Sequence, residues 1–160
     1  MSFIAYHPIY PLPLPEGHRF PMEKYDLLPK QIIYEGSFEE SAFFIPKKLG
    51  TQLAERVHSK AYVKKLLEKT LDRSEIRVIG FPLSEQLIER EFIIAGGTIE
   101  GVEIALEKGI AMNIAGGTHH AFRDRGEAFC LLNDQAIAAQ YLIDTGKAKS
   151  ILIVDLDVHQ

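Results

Sequence analysis

Three apolar runs and one long periodic stretch frame this chain. Residues 3–6 (Phe-Ile-Ala-Tyr) and 110–114 (Ile-Ala-Met-Asn-Ile) are short strand candidates. Residues 150–158 (Ser-Ile-Leu-Ile-Val-Asp-Leu-Asp-Val) read as a strand buried on both faces, as in the middle of a parallel sheet. Residues 85–108 carry Ile88, Phe92, Ile93, Val102, Ile104 and Ala105 in a helical pattern, interrupted at some cost in propensity by Gly96 and Gly97. Gly109 follows as a C′ residue. A second helix is expected over 132–145, with Gly146 as its stop.

Punctuation fills in the rest. Pro8, Pro11, Pro13 and Pro15 exclude helix and central strand near the start. Pro21 opens a helix through residues 22–28, and residues 31–35 (Gln-Ile-Ile-Tyr-Glu) resemble a second short strand. Ser59 caps a predicted helix over 60–70. Strand, loop, helix and strand from 110 to 158 make a βαβ unit, so its two strands should be parallel with a right-handed crossover. There is no internal repeat or low-complexity tract.

Composition narrows the function classes. The 160 residues fit one domain. The formal net charge of −4 disfavours a nucleic-acid backbone binder. Cys130 is the single cysteine, which excludes an intrachain disulfide and fits a reducing compartment. The first residues lack a basic, apolar secretion signal, and no apolar run is long enough to cross a bilayer, so a cytoplasmic location is expected.

The candidate chemistry lies at the ends of the two predicted parallel strands. Along an extended strand, Asp155, Asp157 and His159 point the same way. His119 and His120 lie in the loop after the preceding strand, on the same edge of the sheet, where open α/β sheets bind ligands. Pattern alone leaves two readings: solvated histidines with capping aspartates, or a metal site. A carboxylate and an imidazole, Asp157 and His159, suit zinc or another borderline divalent first-row ion, with Asp155 as an acceptor that orients a histidine.

The residues Ala115-Gly116-Gly117-Thr118-His119-His120-Ala121, Phe129-Cys130, Asn133-Asp134 and Asp155-Leu156-Asp157-Val158-His159 resemble the histone deacetylase superfamily, in its bacterial deacetylase and acetoin-utilisation flavour, with the single-member eukaryotic class also similar. The resemblance extends to residues 14–25 and 57–62 and covers only the amino-terminal half of the family's catalytic domain. It implies a three-layer α/β fold of the arginase/deacetylase type, with helices on both sides of a mostly parallel sheet. Residues 1–160 would then be the amino-terminal portion of one such domain, a truncated piece lacking the carboxyl-terminal half.

The resemblance also implies roles. Asp157 and His159 match two of three zinc ligands. His120 matches the general base that activates the attacking water and later protonates the leaving amine. His119 matches its partner, paired with Asp155. Phe129 matches one wall of the tunnel for the acyl-lysine chain. Arg19 is similar in position to an arginine behind the metal, in the cavity linked to acetate release. A structural potassium ion binds near the Asp-x-Asp-x-His backbone in the family. Ala128 stands where many members have glycine, and its methyl group would narrow the tunnel mouth or be harmless. The third zinc ligand and the transition-state tyrosine fall later in the family's pattern.

The expected activity is zinc-dependent hydrolysis of an acyl amide, on an acetylated lysine of a protein or an acetylated small amine. The alternatives are a non-catalytic fragment acting by association and an arginase-like ureohydrolase. The last ranks third, because arginase-like sites favour Asp-x-His-x-Asp. An unfinished sheet would leave an apolar edge, so self-association or a covering partner is expected.

Overall fold

The computed structural model describes residues 2–158. Three two-residue strands form a parallel sheet: β1 (Ile4–Ala5) lies between β2 (Phe43–Phe44) and β3 (Met112–Asn113). Among the described residues there are six α-helices: α1 (Lys24–Tyr34), α2 (Thr51–Ala54), α3 (Lys60–Glu68), α4 (Arg73–Ile79), α5 (Glu85–Lys108) and α6 (Asp134–Asp144). Among the described residues, no helix is long and apolar enough to cross a membrane.

The long helix is the spine. α5 packs on α6 and lies against β1 and β3. Its Leu87, Phe92, Ile94 and Ala95 are buried in a core shared with Tyr10, Leu66, Phe81, Leu132 and Ile137. Gly96 and Gly97 do not break it, because the chain crosses there. A Cβ on Gly96 would lie 1.9 Å from the Lys47 carbonyl oxygen, beside the bond from Leu49 N to Phe92 O (2.9 Å).

The caps at Ser59 and Gly109 match the sequence expectations, while the box at Asp72 was not anticipated. Ser59 Oγ accepts from Tyr62 N at 3.2 Å, Asp72 and Glu75 form a capping box on α4, and Gly109 ends α5 at φ +87°.

Two expected strands are absent. Residues 31–34 continue α1 through Pro29. Ion pairing of Lys30 with Asp26 (2.6 Å) and a bond from Gln31 to Glu35 (2.6 Å), each four residues apart, support the helix against the β-branched preference of Ile32 and Ile33. Residues 151–158 are not a buried strand. They run without ladder pairing among the described residues, and Leu152, Leu156 and Val158 are 85%, 91% and 86% exposed. The parallel pairing expected with residues 110–114 is therefore not formed: β3 pairs with β1 instead. An apolar run gives a segment the capacity for strand, but a strand also requires a neighbour to bond.

Candidate active site

The loop after β3 is built around one buried carboxylate. Asp134, at the start of α6, is 1% exposed. It accepts bonds from Thr118 N (2.7 Å), Thr118 Oγ1 (2.7 Å), Thr98 Oγ1 (2.5 Å) and Gly117 N (3.1 Å to each oxygen). Gly116 lets the backbone come this close: a Cβ there would sit 2.8 Å from Asp134 Oδ2. The neighbouring Asn133 caps α6 by accepting from Ala136 N (2.9 Å), and its amide donates to the carbonyls of His119 (3.2 Å) and Ala121 (3.3 Å).

His58 closes the far side of the loop. Its Nε2 accepts from Asn133 N at 3.0 Å, which fixes the tautomer, so Nδ1 donates to Phe122 O at 2.8 Å. Burial holds its pKa below the usual histidine value. This agrees with a structural role for His58.

This scaffold presents His119 and His120 side by side, ring centroids 3.9 Å apart. His119 Nδ1 lies 3.2 Å from Asp155 Oδ2 and 3.2 Å from Gly117 O. Both neighbours are acceptors, so Nδ1 carries the hydrogen. Asp155 is itself oriented, its Oδ1 accepting from Asp157 N at 2.9 Å.

His119, His120 and Asp157 line one cleft of about 680 Å³, together with Arg19, Lys24, Tyr25, Ala128 and Phe129. His159 lies outside the described residues. Among the described residues, no group of three or more His, Cys, Asp and Glu side chains is placed to hold a metal ion. The donor type does fit: Asp157 brings a carboxylate to the cleft beside the histidine pair.

The opposite wall is aromatic and strained. Ala128 and Phe129 adopt φ +45° and +67°, held by bonds from Ala128 N to Val78 O (3.1 Å) and from Phe129 N to Ile79 O (2.7 Å). The φ at Ala128 is one that glycine adopts freely. The Phe129 ring packs on Phe20 and Phe81, at centroid distances of 4.9 and 5.0 Å. Arg19 is exposed, its guanidinium 4.9 Å from the centre of the Phe129 ring. Lys24 reaches over the Phe20 and Tyr25 rings (4.8 and 5.0 Å), and desolvation with the nearby Arg90 lowers its pKa. Cys130 is buried, which pushes its thiol up to about 12 and leaves it protonated near neutrality.

Sequence reasoning assigned no role to Asp134, Lys24 or Tyr25. An acidic residue just after an Asn cap, within the apolar stretch from Phe129 to Ala138, was the one available signal for Asp134. It also overlooked the pair Arg90 and Glu91, both 2% exposed, which are ion-paired in the core. Arg90 Nε donates to Tyr10 O at 2.7 Å, and its guanidinium lies 4.9 Å from the centre of the Tyr25 ring.

Known proteins share this arrangement of sequence and fold. The histone deacetylase domain matches residues 18–160, and the chain belongs to that family. An uncharacterized protein of Picosynechococcus sp. is 44% identical over 157 residues, covering 98% of this chain and 52% of that protein. Histone deacetylase 2 of Arabidopsis thaliana is 29% identical, covering 89% of this chain and 38% of its own length. The acetoin utilization protein AcuC of Bacillus subtilis is 28% identical, covering 84% and 36%. The chain thus spans about half, or less, of these relatives. An HDAC homolog crystallised with SAHA superposes with TM-score 0.75 at 22% identity, covering 91% of this chain and 42% of that one. The HDAC homolog from Aquifex aeolicus gives 0.72 at 22% identity, covering 91% and 41%. The fold is accordingly a part of the α/β arginase/deacetylase type.

Proposed function

We propose that this chain supplies the proton-transfer histidines and two metal donors of a zinc-dependent acyl-amide hydrolase of the acetyl-lysine deacetylase type. The observation that carries the reading is the His119–Asp155 contact at 3.2 Å, with the His120 ring tilted beside it on the cleft that Asp157 also lines. Asp155 stabilises positive charge on His119 and fixes its tautomer. His120 removes a proton from the attacking water and returns it to the leaving amine. Phe129 and Ala128 form the wall along which the acyl-lysine stem lies. Asp157 and His159 would hold zinc, or another divalent first-row ion, and a further donor would come from outside these residues. When bound, such an ion polarises the acyl carbonyl and acidifies its water.

The substrate is an acetylated lysine or small amine, and acetate is released. A structural potassium ion at the backbone of residues 155–159 is part of the same proposal. So is a cytoplasmic location.

A second reading has its own support. The exposure of Leu152, Leu156 and Val158 favours a chain that works only when another polypeptide, or a second copy, covers this segment. Fluorogenic acetyl-lysine hydrolysis with added zinc separates the two. Catalysis falling by about 10²–10⁴ in His120→Ala supports the hydrolase reading. No hydrolysis above that variant refutes unaided catalysis and favours association.

A further inference from the structure

Behind the aromatic wall of the cleft lies an ion pair that the proposed chemistry does not use. Arg90 and Glu91, each 2% exposed, sit in the buried stretch of α5 and pair with each other. Adjacent helix positions point about 100° apart, so this is not the ordinary helix-stabilising pair found three or four residues along. Their other groups go to segments that border the cleft. Arg90 Nε donates to Tyr10 O at 2.7 Å, and its guanidinium lies 4.9 Å from the centre of the Tyr25 ring, which lines the cleft. The Glu91 carboxylate accepts a bond from the backbone N–H of Leu131, the residue after Cys130, which also lines the cleft. The Leu131 carbonyl in turn accepts from the Tyr62 hydroxyl at 2.9 Å.

We infer that Arg90 and Glu91 are positioning residues that set where the acyl-lysine wall stands, one end of it at Tyr25 and the other at the turn through Phe129. This rests on the acyl-lysine reading above. The backbone at Ala128 and Phe129, at φ +45° and +67°, is strained, and such a turn persists only where its surroundings over-determine it. Glu91 holds one side of the turn at Leu131, and the bond from Phe129 N to Ile79 O (2.7 Å) holds the other. Phe20 joins the two ends of the wall, its ring centroid 6.1 Å from that of Tyr25 and 4.9 Å from that of Phe129. A displacement at either end is passed along the wall, because close-packed rings leave no void to absorb it. Stability alone gives a weaker account of the pair. Taking two charges out of water offsets much of their attraction, and an apolar pair of similar volume commonly serves a core as well or better.

The test is fluorescence anisotropy of the whole chain, with zinc present, on a labelled peptide whose acetyl-lysine carries a methyl ketone in place of the acetamide and so is not hydrolysed. The free-lysine peptide is the control, and urea unfolding is measured alongside. R90M/E91M removes both charges together, so neither is left unpaired, and releases Tyr10 O and Leu131 N. It should fold with a urea midpoint near or above that of the native chain, yet bind the ketone peptide about tenfold more weakly. R90K keeps both charges and the bond at Leu131, and should bind within about threefold of the native chain. Unchanged affinity in folded R90M/E91M, whatever its midpoint, overturns the inference and leaves the acyl-lysine reading standing. Failure of R90M/E91M to fold also overturns it, since the pair would then hold the core and not one wall. A loss of affinity as deep in R90K as in R90M/E91M does the same. A native chain that binds the ketone and free-lysine peptides equally overturns the acyl-lysine reading and this one with it.

Discussion

Asp134→Ala tests whether one carboxylate holds the loop that carries His119 and His120. The substitution removes the acceptor of two backbone N–H groups, Gly117 and Thr118, and of the Thr98 hydroxyl. A buried donor left without a partner costs about 1–3 kcal/mol. Gly117 is exposed, so water recovers part of its bond. The Thr118 hydroxyl keeps Leu132 O at 2.6 Å. Thr118 N has no such relief, and the sum comes to about 3 kcal/mol. Asp134→Asn should cost less, about 1–2 kcal/mol. Its carbonyl can still accept from Gly117 N and Thr118 N, while its amide faces Thr98 Oγ1, which can rotate to accept. Urea unfolding reads both values as shifts in midpoint at constant slope. The imidazole resonances of His119 and His120 should move in Asp134→Ala and stay near native in Asp134→Asn. A loss under about 0.5 kcal/mol in Asp134→Ala would refute the anchor. So would an Asn variant as damaged as the Ala one.

Three further outcomes follow from other parts of the fold. His58 has a folded pKa below its unfolded value of about 6.5, so the unfolded chain binds its proton first. Its contribution is complete above that value and is lost as pH falls toward the folded pKa; urea midpoints measured from pH 7.5 to 5 should drop more steeply in the native chain than in His58→Gln. Gly96→Ala should destabilise by more than about 2 kcal/mol, because backbone contact outweighs the roughly 1 kcal/mol gained in helix propensity. Gly101→Ala, whose Cβ would lie 3.8 Å from Ala111 Cβ, should be neutral or stabilising, and thermal unfolding of the pair checks the contrast. Ala128→Gly should stabilise by about 0.5–1 kcal/mol by relieving the left-handed backbone, and an unchanged or lower unfolding temperature would count against strain there.

Local signals carried much of this structure. The bounds of α5, the Ser59 cap, the Gly109 terminus and the stop at Gly146 follow from periodicity and capping chemistry that act within one or two turns. The pairing of His119 with Asp155, at 3.2 Å, was implied by the family resemblance and not by strand alternation, since residues 151–158 form no strand. Arg19 was harder. Its guanidinium lies 4.9 Å from the centre of the Phe129 ring, and no local pattern reports which ring an arginine side chain will meet.

The sequence by itself determined which segments coil and where the histidines and aspartates fall along the chain, because propensity, capping and periodicity need only near neighbours. Tertiary structure alone decided the rest. Residues 31–34 became helix through pairs with the preceding and following turns. Residues 151–158 stayed exposed, because hydrogen bonding a strand needs a second strand beside it. Asp134 became the centre of the loop only because Thr98 and the backbone of Gly117 and Thr118 converge on it from residues 16 to 36 positions away.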